Sequence, residues 1–120
     1  MEITCMTIDV SKVKIYIRPE YTDLRKAVNG LSVLIQENMK NDPFSGSVYL
    51  FCNRERKLIK VIWWDKTGFW LCQKRLEKAK FPWPEHTEAV EELTGEQLSM
   101  LLSGINFWKA HKPVYYEKVS

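Results

Sequence analysis

The segment KVKIYIR (12–18) alternates, with Val13, Ile15 and Ile17 on one side and Lys14, Tyr16 and Arg18 on the other. Period two predicts a half-buried strand, which Pro19 ends. The spacing then becomes helical. Over 22–40, Leu24, Ala27, Val28, Leu31, Leu34, Ile35 and Met39 form one apolar stripe. Thr22 is the expected N-cap, Asp23 suits the positive end of the helix dipole, and Asn41-Asp42-Pro43 stops the helix. Gly30 inside it costs about 1 kcal/mol relative to Ala and suits a close backbone approach. Three strands follow: 45–53, 57–65 and 68–76. Arg54-Glu55-Arg56 is the first turn. Asp65-Lys66-Thr67-Gly68 is the second, read as a type I turn closed by a left-handed Gly68. Phe81-Pro82-Trp83-Pro84 is a rigid crossover whose indole packs on the sheet. A short edge strand is expected within 87–93. A helix is expected over 94–104, with Thr94 and Gln97 as a capping box and Gly104 as its C-cap.

Residues 1–105 thus make one domain in the order β-α-β-β-β-(β)-α, and residues 106–120 form a C-terminal tail without clear period. Tight turns between consecutive strands predict a small antiparallel sheet with the long helix on one face, an α+β fold. The proposed turn places Asp65 opposite Phe69. Counting outward pairs Trp64 with Trp70, Trp63 with Leu71 and Lys60 with Lys74. One face then holds Ile59, Val61, Trp63, Phe69 and Leu71. The other holds Lys60, Ile62, Trp64, Trp70, Cys72 and Lys74, and a one-residue slip would exchange them.

Charge changes this picture. Residues 54–80 carry nine basic and three acidic side chains, a net +6, whereas 85–104 carry five Glu and no Lys or Arg. Four of the five tryptophans lie within 63–84. One reading is a sheet covered on both faces, with indoles in the core and the two charge blocks paired. The other is a surface for a polyanion, with cations on phosphates and aromatic rings on sugars or unpaired bases. The candidate contacts are Lys60, Trp64, Trp70, Lys74, Arg75, Lys78 and Lys80, with Arg54, Arg56 and Lys57 at the far end.

Three scattered cysteines (Cys5, Cys52, Cys72) and two distant histidines match no zinc spacing and suggest reduced thiols. No metal and no cofactor are expected. The apolar runs are too short to span a bilayer. The start, MEITCMTIDV, resembles no secretory signal, so a cytoplasmic location is expected. No Gly-rich phosphate loop or nucleophile motif occurs. Asp23, Asp42 and Asp65 could form a catalytic carboxylate cluster, but each has a local role at a helix start or a turn.

TDLRKAVNGL (22–31), NDPFSGSVYLFCNR (41–54), Lys60 to Asp65, GFWLCQKRLEKAKFPWP (68–84) and, more weakly, LTGEQLSMLLSGI (93–105) carry a resemblance. The chain resembles the small accessory proteins encoded beside the transposase in the insertion-sequence family numbered sixty-six. These are often called TnpB and are unrelated to the RNA-guided nuclease of that label. Leu24, Ala27 and Ala79 depart from the Met, Gly and Gly expected there. The resemblance implies a protein needed for efficient transposition without catalysis of its own. The motif residues are Asp23, Arg25, Lys60, Asp65, Gly68, Lys74, Arg75, Glu77, Phe81 and Trp83. Two functions are therefore expected as alternatives. One is a DNA-binding accessory factor, acting where element ends are assembled. The other is an adaptor that binds the transposase or another element protein through the hairpin's aromatics or the tail around Phe107 and Trp108.

Overall fold

The computed structural model of the protein describes residues 9, 11–84 and 91–105. Its elements are β1 (Ile15–Ile17), α1 (Val28–Glu37), β2 (Val48–Cys52), β3 (Leu58–Trp64), β4 (Phe69–Arg75), β5 (Glu91–Leu93) and α2 (Gly95–Leu102). The α+β class and the element order are those expected from the sequence. The strands form one sheet, ordered β4-β3-β2-β1-β5.

The two hairpins are antiparallel, but β1 runs parallel to β2, with Ile15 opposite Val48. The sheet is therefore mixed. Parallel neighbours need a long crossover, usually a helix, and α1 is that crossover. β5 covers the outer side of β1 in antiparallel register, Ile15 facing Leu93.

Both faces are covered, not one. On the first face, Ile59, Val61 and Trp63 pack with Phe81, Trp83, Leu98, Leu101 and Leu102, so α2 and the 81–84 crossover form the lid. On the second, Tyr49, Phe51 and Ile62 pack with Leu24, Leu31, Ile35 and Met39 around α1. β2 is central and buried at every position, as a strand covered on both sides must be.

α1 starts at Val28, six residues after the expected cap Thr22, and its N-cap Ala27 makes no side-chain capping bond. The preceding segment has other partners. The Thr22 amide donates to Cys52 O at 2.8 Å, and the Thr22 hydroxyl accepts from Arg18 Nη1 at 2.9 Å. Asp23 binds the Arg25 amide and guanidinium instead of capping a helix. A Cβ at Gly30 would sit 3.1 Å from the Lys26 Cβ, so the close approach is from that segment. At α2 the capping box of Thr94 and Gln97 is present as expected. Its C-cap is Ser103, followed by Gly104 at φ 80°.

Cys52 is a free thiol at the centre of the sheet, and burial pushes its pKa up to about 12. Cys72 is disulfide-bonded, which corrects the expectation of three reduced thiols: an odd count leaves room for one bridge. Among the described residues no helix is long and apolar enough to cross a membrane.

Candidate nucleic-acid interface

The candidate contacts depend on how β3 and β4 align. Asp65 N donates to Gly68 O at 3.0 Å, so the loop is two residues, Lys66 and Thr67. Lys66 has φ 84°. Positive φ at the first central residue alone is the type II′ pattern. Gly68 is not in the left-handed region. The Asp65 carboxylate fixes this shorter loop by accepting from the Thr67 amide and hydroxyl at 3.1 and 3.0 Å and from the Gly68 amide at 3.1 Å. It also accepts from Trp70 Nε1 at 2.6 Å. These bonds, the Thr67 amide foremost, hold its pKa below the ordinary carboxylate range.

Shortening the loop by one residue moves the whole register by one. Trp64 faces Phe69, Trp63 faces Trp70, Val61 faces Cys72, and Lys60 faces Gln73. Trp64 and Trp70 thus lie on opposite faces, and so do Lys60 and Lys74. The expected surface of two indoles between two lysines does not exist, because the loop it assumed was a residue too long.

The side chains separate into two ends of the hairpin. At the Asp65 end, Phe44, Trp64 and Phe69 form a three-ring cluster with centroids 5.0–5.4 Å apart, and Phe44 is 56% exposed. On the opposite face Trp70 stacks on buried Trp63 at 6.0 Å. At the other end, the Leu76 amide donates to Lys57 O at 2.8 Å and the Phe81 amide to Arg56 O at 2.7 Å. These bonds hold the 76–81 loop beside the β2–β3 turn. Arg54, Lys57, Arg75, Lys78 and Lys80 gather there.

Several predicted cations have structural work. Lys60 Nζ reaches Leu24 O at 2.7 Å and Lys26 O at 3.2 Å, tying the lead-in of α1 to the sheet. Lys74 Nζ reaches Leu102 O at 2.7 Å, a cation at the carbonyl end of α2. Arg56 Nη1 donates to Trp83 O at 2.7 Å. Trp83 is buried, with Nε1 on Arg18 O at 2.8 Å, and Phe81 is buried beside it, so both motif residues are core. Arg25 pairs with Asp23 at 2.7 Å, and Glu77 is exposed.

Arg75, Lys78 and Lys80 are exposed. Among the described residues, salt bridges join only Lys12 to Asp9 and Arg25 to Asp23. Among the described residues no salt bridge joins the basic block to Glu92 or Glu96. Among the described residues no three His, Cys, Asp or Glu could hold a metal ion. Asp42, like Asp65 and Asp23, has a local bond, here to the Phe44 amide at 2.9 Å.

Two exposed aromatics escaped the sequence reading. Tyr21 lies under the Arg54 guanidinium, 5.4 Å from the ring centroid. It borders a shallow depression with Asp23, Arg25, Asn53 and Glu55. Phe44 sits inside the NDPFSG stretch that carries the resemblance, a hydrophobe between two turn residues, and that was its available signal. The tail around Phe107 and Trp108 lies outside the described residues.

The fold and this surface define a small α+β protein with a basic pole and an aromatic pole. Over residues 13–112 the chain matches the family described as IS66 Orf2 like protein, and it belongs to that family. It is 37% identical over 95 residues to the Uncharacterized protein y4hO of Sinorhizobium fredii, covering 79% of this chain and 83% of that one. It is also 28% identical over 103 residues to y4jC of the same organism, likewise described as uncharacterized, covering 85% and 88%. No solved structure matches it. Membership marks a transposition-associated accessory protein of an insertion sequence.

Proposed function

We propose that the protein is a non-catalytic transposition accessory factor, working in the cytoplasm, that contacts DNA through the basic end of the hairpin. Arg54, Lys57, Arg75, Lys78 and Lys80 neutralise phosphates, and Trp64 and Trp70 are left out of the contact. The observation that carries this reading is the absence of salt bridges from these five cations among the described residues. Two main-chain bonds across the 57–76 and 56–81 pairs bring them together. Unpaired surface cations on a fixed scaffold release counterions when a polyanion docks, without first breaking internal pairs. Titration of the protein against element-end and random duplexes at two salt concentrations tests this. Binding weakens steeply with salt, and Lys78→Glu with Lys80→Glu lowers affinity on both duplexes and reduces the salt slope by roughly two. Unchanged affinity in that variant sinks the reading.

The ring cluster of exposed Phe44 with half-buried Trp64 and Phe69 supports a second reading, an adaptor that grips the transposase or another element-encoded protein without touching DNA. Large aromatic side chains are common anchors of such contacts. Co-purification with the transposase at high salt, lost on Phe44→Ala, is its expected outcome. Retention by Phe44→Ala argues against the cluster as anchor.

A further inference from the structure

β4 is an outer strand of the sheet, with β3 as its one neighbour among the described strands. It is seven residues long and contains no proline. The Leu76 amide donates to Lys57 O and Gly68 O accepts from the Asp65 amide, the residues flanking β3, so even-numbered residues of β4 turn their backbone groups inward. In an antiparallel strand these directions alternate. Phe69, Leu71, Gln73 and Arg75 therefore present N–H and C=O groups outward. Two large apolar side chains on the same strand are exposed, Trp70 at 41% and Leu71 at 38%. β5, at the opposite edge, is only three residues long. An outer strand with these properties is a template for another strand.

We propose that β4 pairs antiparallel with β4 of a second copy of this chain, about a two-fold axis through Cys72. In this register Leu71 meets the second copy's Gln73, and Phe69 meets its Arg75. All four outward-facing residues then lie in hydrogen-bonded pairs, exchanging about eight backbone hydrogen bonds. Sliding by two residues either way leaves one of them unpaired. Charge selects the same alignment. Arg75 lies opposite Phe69, so its guanidinium meets an aromatic ring, and no like charges face each other. Arg75 guards the strand against indiscriminate pairing, while self-pairing satisfies it. The isologous contact closes on itself, and the two sheets continue as one. The edge pairing shares Arg75 with the proposed DNA contact, and the variants below leave that residue in place.

Light scattering and sedimentation of the full chain over a wide dilution series provide the test. The dimer's mass is expected at high concentration and the monomer's on dilution. Gln73→Pro, which deletes one outward N–H, is expected to abolish the dimer with the circular dichroism spectrum retained. Two double variants test the register without touching the backbone. Leu71→Lys with Gln73→Lys sets like charges opposite each other across the axis and gives a monomer. Leu71→Glu with Gln73→Lys sets opposite charges there and keeps the dimer. A monomer at every concentration, a dimer indifferent to Gln73→Pro, or equal behaviour of the two double variants overturns the proposal.

Discussion

The two ends of the β3–β4 hairpin use their polar groups in opposite ways. At the turn end, Asp65 alone accepts from two amides, a hydroxyl and an indole, all within five residues of it. Its charge is consumed locally, and the surface left over is aromatic. At the open end, the bonds span long sequence separations, such as Arg56 to Trp83 O and Trp83 Nε1 to Arg18 O. They involve main-chain oxygens, and among the described residues the cations of the neighbouring loop form no salt bridge. The same distinction divides the lysines. Lys60 and Lys74 are bound to carbonyls of helix-flanking segments, while among the described residues Lys78 and Lys80 have no such carbonyl partner. A basic sequence block is thus not one functional unit, and only its unspent part can serve a ligand.

The largest expected effect lies in the stacked pair beneath the turn end. Trp63 is 1% exposed within the core on the α2 side, and Trp70 above it is 41% exposed. Trp63→Ala should cost about 3–5 kcal/mol in denaturant unfolding, the range for emptying a large aromatic site. Trp70→Ala should cost about 1 kcal/mol, since it loses a half-exposed stack. Equal losses would mean that the two indoles share one environment, and the register argument would fail.

The next effect, less than half as large, separates spent from unspent cations. Lys60→Met leaves the Leu24 and Lys26 carbonyls without their ammonium partner and should cost about 1–2 kcal/mol of stability. Lys78→Met should stay within about 0.5 kcal/mol of the parent. DNA affinity should respond in the reverse order, falling more for Lys78→Met than for Lys60→Met. A matched loss of stability and affinity in both variants would erase the distinction.

Much of this molecule was legible in its sequence, and the parts that were not share a cause. Alternation and helical spacing located every described element, and the Thr94–Gln97 capping box was read correctly because its partners are three residues apart. Tight turns govern only neighbours along the chain, so they predict a wholly antiparallel sheet where β1 in fact runs parallel to β2. The place of β1 depends on α1 as a crossover. The N-terminus of α1 was set too early because Thr22 and Asp23 have partners, Arg18, Cys52 and Arg25, that outcompete a capping role. The hairpin register turned on a single residue: Gly68 invites a left-handed turn, but the Asp65 bonds place that conformation at Lys66. The basic block in 54–80 is a property of the sequence itself. Which of its members were free could not be read locally, since the acceptors of Lys60 and Lys74 lie 34–36 and 28 residues away.

The smallest expected effect probes the turn that sets the register. The Asp65 carboxylate is held below its ordinary value of 3.8, first by the Thr67 amide and then by the Thr67 hydroxyl and the Trp70 indole. A depressed folded-state value means that the ionised form favours the fold. Its contribution is complete above about 3.8, the unfolded value, and is lost as the pH falls through the lower folded one. Asp65→Asn keeps an oxygen acceptor for the Thr67 amide but has no charge to titrate. Unfolding free energies of the two proteins should therefore differ by a constant, modest amount from neutral pH down to the ordinary carboxylate value. Below it the difference should shrink, because the parent loses its advantage by protonation. The indole reports the same event, since protonation weakens the acceptor of Trp70 Nε1 and should shift its emission in the parent alone. A difference that persists undiminished into acid would show that the carboxylate's charge does not hold the two-residue loop. The separation of Trp64 from Trp70 would then need another cause.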